Sequence, residues 1–217
     1  MKIRLPKYFF KKGLTIRINQ KPAAEQDHPD DVNLSRKTTP ALIDSLTDAD
    51  PFIRSVSAEV LGRLKERSSV PSLILLLKDH SKYVREKSAI ALGHIGDKAA
   101  VPSLIASLSD DSEEVRVTVA GVLGHLHDRL AVPALIQSLA DTSPLARMKA
   151  AISLGLIGDP AAVVPLFNTL RDENELVRKY ACESLGNIGR PAVSALLLAL
   201  RDEKVRAHAA QALLKIR

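Results

Sequence analysis

Leucine returns every 31 residues along this chain of 217: Leu46, Leu77, Leu108, Leu139 and Leu170 share one phase. Arginine holds a second phase at Arg54, Arg85, Arg116, Arg147 and Arg178, and glycine a third at Gly62, Gly93, Gly124, Gly155 and Gly186. Within each copy the apolar positions are spaced for helices. In VREKSAIALGHIG, the residues Val84, Ser88, Ala91, Leu92 and Ile95 fall on one helical face. A shorter helical pattern precedes it, as in Pro102 to Leu108. Its proline stands near the start, where a missing N–H costs little. Between the two patterns Asp50, Ser81, Ser112, Ser143 and Asn174 share one phase, and each has a side-chain oxygen able to cap the next helix. Gly96, Gly158 and Gly189 are suited to end that helix in a left-handed turn. The earlier glycine of each Leu-Gly pair lies inside the helix, where it costs about 1 kcal/mol against alanine. Its recurrence predicts close approach of a neighbouring helix.

A fixed period of this length marks stacked units that cannot bury their cores alone. Six copies follow from Thr39, at 39–69, 70–100, 101–131, 132–162, 163–189 and 190–217. The expected fold is an all-α solenoid of about six helix pairs over residues 39–217, preceded by a basic tail and polar linker at 1–38. The last copy is atypical. Its inter-helix turn runs from Asp202 to Arg206, against Asp172 to Arg178 in the copy before, and Leu214, Lys215 and Arg217 replace the glycine-rich ending. A solvated terminal repeat is the expected purpose of such divergence.

Composition agrees with helices: aromatic residues make up 3% of the chain, too few for a typical sheet core. The net charge of +6 is localised. Residues 1–24 hold seven of the 31 Lys and Arg residues and no acid, so the other 24 stand against 25 acids and residues 25–217 sum to −1. A nucleic-acid groove along the repeats is therefore not expected. The tail, with Tyr8, Phe9 and Phe10 among its basic residues, suits an acidic partner or surface. No long apolar stretch predicts a signal peptide or a membrane span, so a soluble cytoplasmic protein is expected. The single cysteine, Cys182, shares its phase with Ala58, Ala89, Ala120 and Ala151 and reads as a small core residue.

The VPxLIxxLxD first helix, the VRxxAAxALGxIG second helix and the aspartate in Gly96-Asp97 and Gly158-Asp159 resemble the HEAT-like repeats first associated with phycobilisome lyases. The resemblance covers about residues 39–217. It implies a right-handed superhelix with the first helices convex and the second helices lining a concave, partner-binding side. It also implies that the Arg series and the Asp series (Asp48, Asp79, Asp110, Asp141, Asp172 and Asp202) bond within and between repeats. Relatives of this kind include bilin lyase subunits, phycobilisome degradation factors, deoxyhypusine hydroxylase and interaction modules.

Catalytic signals are sparse. The di-iron hydroxylases of this type carry His-Glu pairs, and this chain has none: Ile95 follows His94 and Ala209 follows His208. There is no GxSxG and no glycine-rich phosphate loop. His94, His125 and His127 cluster in sequence phase without a carboxylate at ligand spacing, so no metal is expected. What remains is the variable face of the second helices, apolar at its centre and polar at its rim. The expected partner site there is Lys87, Ile90, His94, Val117, Gly121, His125, Met148, Lys149, Ile152, Leu156 and Tyr180. The expectation is a non-enzymatic scaffold for a protein partner, with no cofactor. The alternative is a phycobilin lyase subunit or a phycobilisome-associated chaperone or degradation factor, in which a bilin enters the groove.

Overall fold

The computed structural model describes residues 38–216. The basic tail and most of the linker therefore lie outside the described residues. Twelve α-helices run in order, and no strand occurs among the described residues. The first helices of the repeats are α1 (38–44), α3 (Val70–Leu76), α5 (Val101–Ala106), α7 (Val132–Ser138), α9 (Val163–Thr169) and α11 (Val193–Ala199). The second helices are α2 (Pro51–Arg63), α4 (Lys82–Ile95), α6 (Glu113–Leu126), α8 (Pro144–Ile157), α10 (Glu175–Ile188) and α12 (Arg206–Lys215). The pairs stack in order, each second helix against the second helices beside it. This is an all-α solenoid of six helix pairs.

The ends of these helices follow from local chemistry. Asp50, Ser143 and Asn174 accept hydrogen bonds from the free N–H groups of the first turn of α2, α8 and α10. Ser81 and Ser112 hold the same extended backbone but do not cap with their side chains; the Ser112 hydroxyl bonds Glu114 instead. At the other end, Gly96 and Gly158 adopt the left-handed turn. Gly189 has positive φ in a different region. In repeat three the same role falls to His127, and Lys65 also has positive φ in repeat one. A short 3₁₀ turn then leads into each following first helix; Glu66, Asp97, Asp128 and Asp159 cap the first four, and the last, after Gly189, has no side-chain cap.

The core is one continuous seam of leucine, valine, isoleucine and alanine. Leu61, Leu92, Leu123, Leu154 and Leu185, one per repeat, are completely buried. The Leu-Gly glycines hold adjacent second helices together. A Cβ on Gly124 would lie 2.5 Å from the Ser153 Oγ, and one on Gly62 would lie 2.5 Å from the Ala91 Cα. No first helix contains a glycine, and the first layer is the more loosely joined of the two. The second helices thus form the closer-packed layer, with one face left open on the side away from the first helices.

Charged rungs join the repeats. The Arg54 Nε and Nη2 donate to the two carboxylate oxygens of Asp79, each at 2.8 Å, while its Nη1 donates to the Asp48 carbonyl of its own repeat at 2.8 Å. The same arrangement joins Arg85 to Asp110, Arg116 to Asp141 and Arg147 to Asp172. Each of these carboxylates also accepts a backbone N–H two residues on, from Ser81, Ser112, Ser143 or Asn174. The hydrogen bond from Arg116 holds the Asp141 carboxyl below the usual aspartate range. Burial pushes Asp79, Asp110 and Asp172 upward, but the Arg hydrogen bonds and the turn N–H outweigh it and leave them lowered as well. The fifth rung does not form. The Arg178 Nη1 donates to the Asp172 and Glu173 carbonyls, and no bond to Asp202 forms among the described residues. In the last repeat Arg206, Gln211 and Lys215 are exposed, and so is Leu214, at 87%, at the position other repeats give to glycine.

Two predictions follow from these contacts. The four rung aspartates bind fewer protons folded than unfolded, so their contribution is complete above the ordinary pKa of about 3.9 and is lost as pH falls through the lowered values. Melting temperature followed by circular dichroism should be level from neutral pH to about 5 and drop below about 4. Asp141→Asn should lower it at pH 7 and flatten the acid slope; an unchanged slope would deny the rung its role. Glycines three residues apart should respond oppositely. Gly124→Ala should destabilise through its clash, whereas a Cβ on Gly121 meets only the Lys149 Cδ at 3.9 Å. Gly121→Ala should therefore gain up to about 1 kcal/mol from helix propensity, measured by denaturant unfolding.

Candidate partner-binding face

Residues at i, i+4, i+7 and i+11 of each second helix form a stripe on the open face. The N-caps set where each stripe begins, and the rungs and glycines hold neighbouring stripes at a fixed separation. On α4 the stripe is Tyr83, Lys87, Ile90 and His94; on α6 it is Glu114, Thr118, Gly121 and His125. On α8 it is Leu145, Lys149, Ile152 and Leu156; on α10 it is Leu176, Tyr180, Glu183 and Asn187.

None of the eleven residues expected at the site is buried in the core. Ile90 and Ile152 in the stripes, and Val117 and Met148 beside them, are half-buried, and Leu156 is 39% exposed. Lys149 makes no ion pair among the described residues and lies alongside the space left by Gly121. Lys87 is less available: its ammonium binds the Glu59 carboxylate at 2.8 Å, and Glu59 also binds Arg63. The Lys87 hydrogen bond is the main reason the Glu59 carboxyl is lowered. Tyr180 is half-buried, with the Lys179 ammonium 5.4 Å from its ring centre. His94 and His125 are exposed at the far end of their helices. The His125 Nδ1 lies 2.8 Å from the Gly121 carbonyl; a carbonyl only accepts, so this nitrogen carries the proton and Nε2 is left free.

Two features escape a reading of exposed helix phases that starts one turn too late. The second residue of the second helices forms an apolar row: Phe52, Tyr83, Leu145 and Leu176 are 56%, 66%, 51% and 51% exposed. Their shared 31-residue phase, two residues after the N-cap, was the available signal. Glu114 interrupts the row. Its carboxylate binds Lys82 at 2.7 Å and the Ser112 hydroxyl at 2.6 Å, and these bonds, Lys82 first, lower its pKa to about 2. The second feature is His127. It stands where repeats two, four and five have glycine, with φ of +50°, and its Nδ1 lies 3.0 Å from the Leu156 carbonyl of the next repeat.

The arrangement is suited to binding. No group of three or more His, Cys, Asp or Glu residues is placed to hold a metal among the described residues. No helix among them is long and apolar enough to cross a membrane. Cys182 is wholly buried, and burial pushes its thiol up to about 12.

Helix pairs in a single stack, joined by repeating rungs and lined on one side by variable residues, define the class: an α-solenoid repeat protein. The chain belongs to the family of HEAT repeats, which matches residues 39–114, 101–168 and 163–217. A search of curated proteins gave no match. Among solved structures, the chain is similar to the complex of CpcE and CpcF of phycocyanin lyase from Nostoc sp. PCC7120, at 25% identity and a TM-score of 0.63, covering 91% of this chain and 80% of that one. It also resembles an engineered protein at 21% identity and a TM-score of 0.61, covering 82% and 96%. A designed armadillo repeat protein in complex with the peptide (KR)4 matches at 19% identity and a TM-score of 0.59, covering 82% and 99%. The last two likenesses are likenesses of fold.

The state of Cys182 is directly measurable. A buried thiol with so high a pKa is inert, so a disulfide reagent at pH 8 should label it only as fast as the solenoid opens. Rapid labelling of the native protein would contradict the burial.

Proposed function

We propose that this protein is a non-enzymatic scaffold, working in the cytoplasm without a cofactor, that binds a protein partner on the open face of its second helices. The observation that carries this reading is the α8 stripe. Leu145, Ile152 and Leu156, with Met148 beside them, present apolar surface that the fold leaves uncovered. Polar groups border it: Tyr180 on one side, Lys149 and His125 beside the Gly121 gap on the other. An apolar centre with a polar border is the ordinary anatomy of an interface. The rungs and close helix contacts fix the spacing of these side chains in advance, so little ordering entropy is lost on binding.

A second reading is favoured by the likeness to the phycocyanin lyase complex, the finer resemblance to phycobilisome-lyase repeats. On it the chain is a phycobilin lyase subunit, or a phycobilisome-associated chaperone or degradation factor. The same groove would receive a bilin or its acceptor protein, with Lys149 or a histidine able to pair with propionate.

One set of measurements separates the two. Ile152→Asp and Gly121→Arg should each reduce partner capture from native extract by about tenfold or more, equivalent to about 1.4 kcal/mol. Leu75→Asp on the exposed side of α3 should have no effect. All three should keep wild-type helicity. If capture survives both groove changes, the scaffold reading fails. Mixing the protein with phycocyanobilin tests the second reading, and an absorbance spectrum that stays that of the free bilin would sink it.

A further inference from the structure

The first helices of successive repeats also leave grooves between them. The one between repeats three and four, about 620 Å³, is bordered by Arg116 and Asp141, whose rung is closed. The equivalent groove between repeats five and six, about 560 Å³, has no closed rung. Arg178 and Asp202 form no ion pair, and the Arg178 Nε is buried without an acceptor among the described residues. Asp202 keeps the turn bond of the other aspartates, accepting the Lys204 backbone N–H at 2.9 Å, but receives no arginine fork.

Around this groove stand Arg171, Arg201 and Lys204, all exposed and none in an ion pair among the described residues. Asp202 and Glu203 share the rim. The floor is apolar, with Phe167 half-buried and Leu198 54% exposed. The position of Leu198 is Gln137 in repeat four and Asn168 in repeat five, so the groove has lost a polar residue as well as a rung. The charge around it also differs. Residues 190–217 hold six Lys and Arg against two acids, a net +4, whereas residues 39–189 hold sixteen against nineteen, a net −3.

We propose that the groove between repeats five and six is a docking site for an acidic segment of a partner protein bearing an apolar anchor. The anchor covers Leu198 and Phe167. The partner's carboxylates pair with Arg171, Arg201 and Lys204, which the last repeat leaves unneutralised. Charge selects this occupant over two others. Residues 1–24 of the same chain are basic without an acid, and a second copy would set one basic repeat against another. A nucleic acid would use the cations but not the apolar floor. This site lies on the first-helix side of the stack and stands independently of the face assigned above.

The test uses the full chain and a fluorescein-labelled nonapeptide of glutamates around one central leucine, read by anisotropy. Wild type should bind it, and R201E with K204E should weaken binding by about tenfold or more, as expected when close charge pairs are reversed. Leu198→Asp should also weaken it, while Lys149→Glu on the other face should not. Circular dichroism and melting confirm that each variant is folded. No binding by wild type, or equal binding by the R201E/K204E variant, overturns the proposal. So does an oligothymidylate of nine bases that displaces the peptide as well as unlabelled peptide does, because the apolar anchor would then contribute nothing.

Discussion

A single arginine in each of the first four repeats holds two repeats at once. Its Nη1 satisfies carbonyls at the turn of its own repeat, and its Nε and Nη2 form a fork on the aspartate of the next. The aspartate in turn orders the N-terminus of the following second helix by accepting a backbone N–H. Helix start, turn geometry and inter-repeat distance are therefore set by one group. The pairs are largely buried, with Arg147 and Asp172 each 10% exposed at the side chain. Burial makes such pairs costly to form and costlier to break, on the order of 3–5 kcal/mol when one partner is lost. Their gain is placement more than net stability. A helix pair has no core of its own, and the rung decides how the next pair is laid upon it.

The second constraint is distance. Gly124 against Ser153 and Gly155 against Ser184 leave no room for a Cβ, so adjacent second helices meet backbone to backbone. The first helices, which contain no glycine, have no such contact. Together, rung and glycine consume about half of each second helix. The other half carries no structural duty. It is this freedom that lets the α8 stripe be apolar, the α6 stripe small and polar, and the α2 stripe an ion-pair network around Glu59.

The last repeat shows what happens when the constraint is relaxed. Its turn is two residues shorter, the fifth rung is missing, and Arg178 has no carboxylate partner among the described residues. At Leu214, a side chain replaces the glycine on which a further second helix would lie. Leu214 is exposed there among the polar Arg206, Gln211 and Lys215.

Much was legible beforehand because the repeat is its own alignment. Five copies of one phase expose what the fold needs: the Asp–Arg series, the Leu-Gly pair, the polar residue before each second helix, and Cys182 among alanines. Periodicity and capping chemistry are local, and the chain states them in order. Other features depended on where side chains end. Lys87 reads as a free cation until Glu59, on the preceding helix, is found beside it. Ser81 and Ser112 have the right identity and backbone to cap and do not. The apolar row from Phe52 to Leu176 continues the face by one turn, and the left-handed His127 reaches into the next repeat. Sequence alone determined the solenoid, its register and its core, since these follow from a helical period repeated in copies. Only the tertiary structure decided which charges remain unpaired and which apolar residues remain bare, because both are set by neighbours 25 to 32 residues away, brought within a few ångströms by the stack.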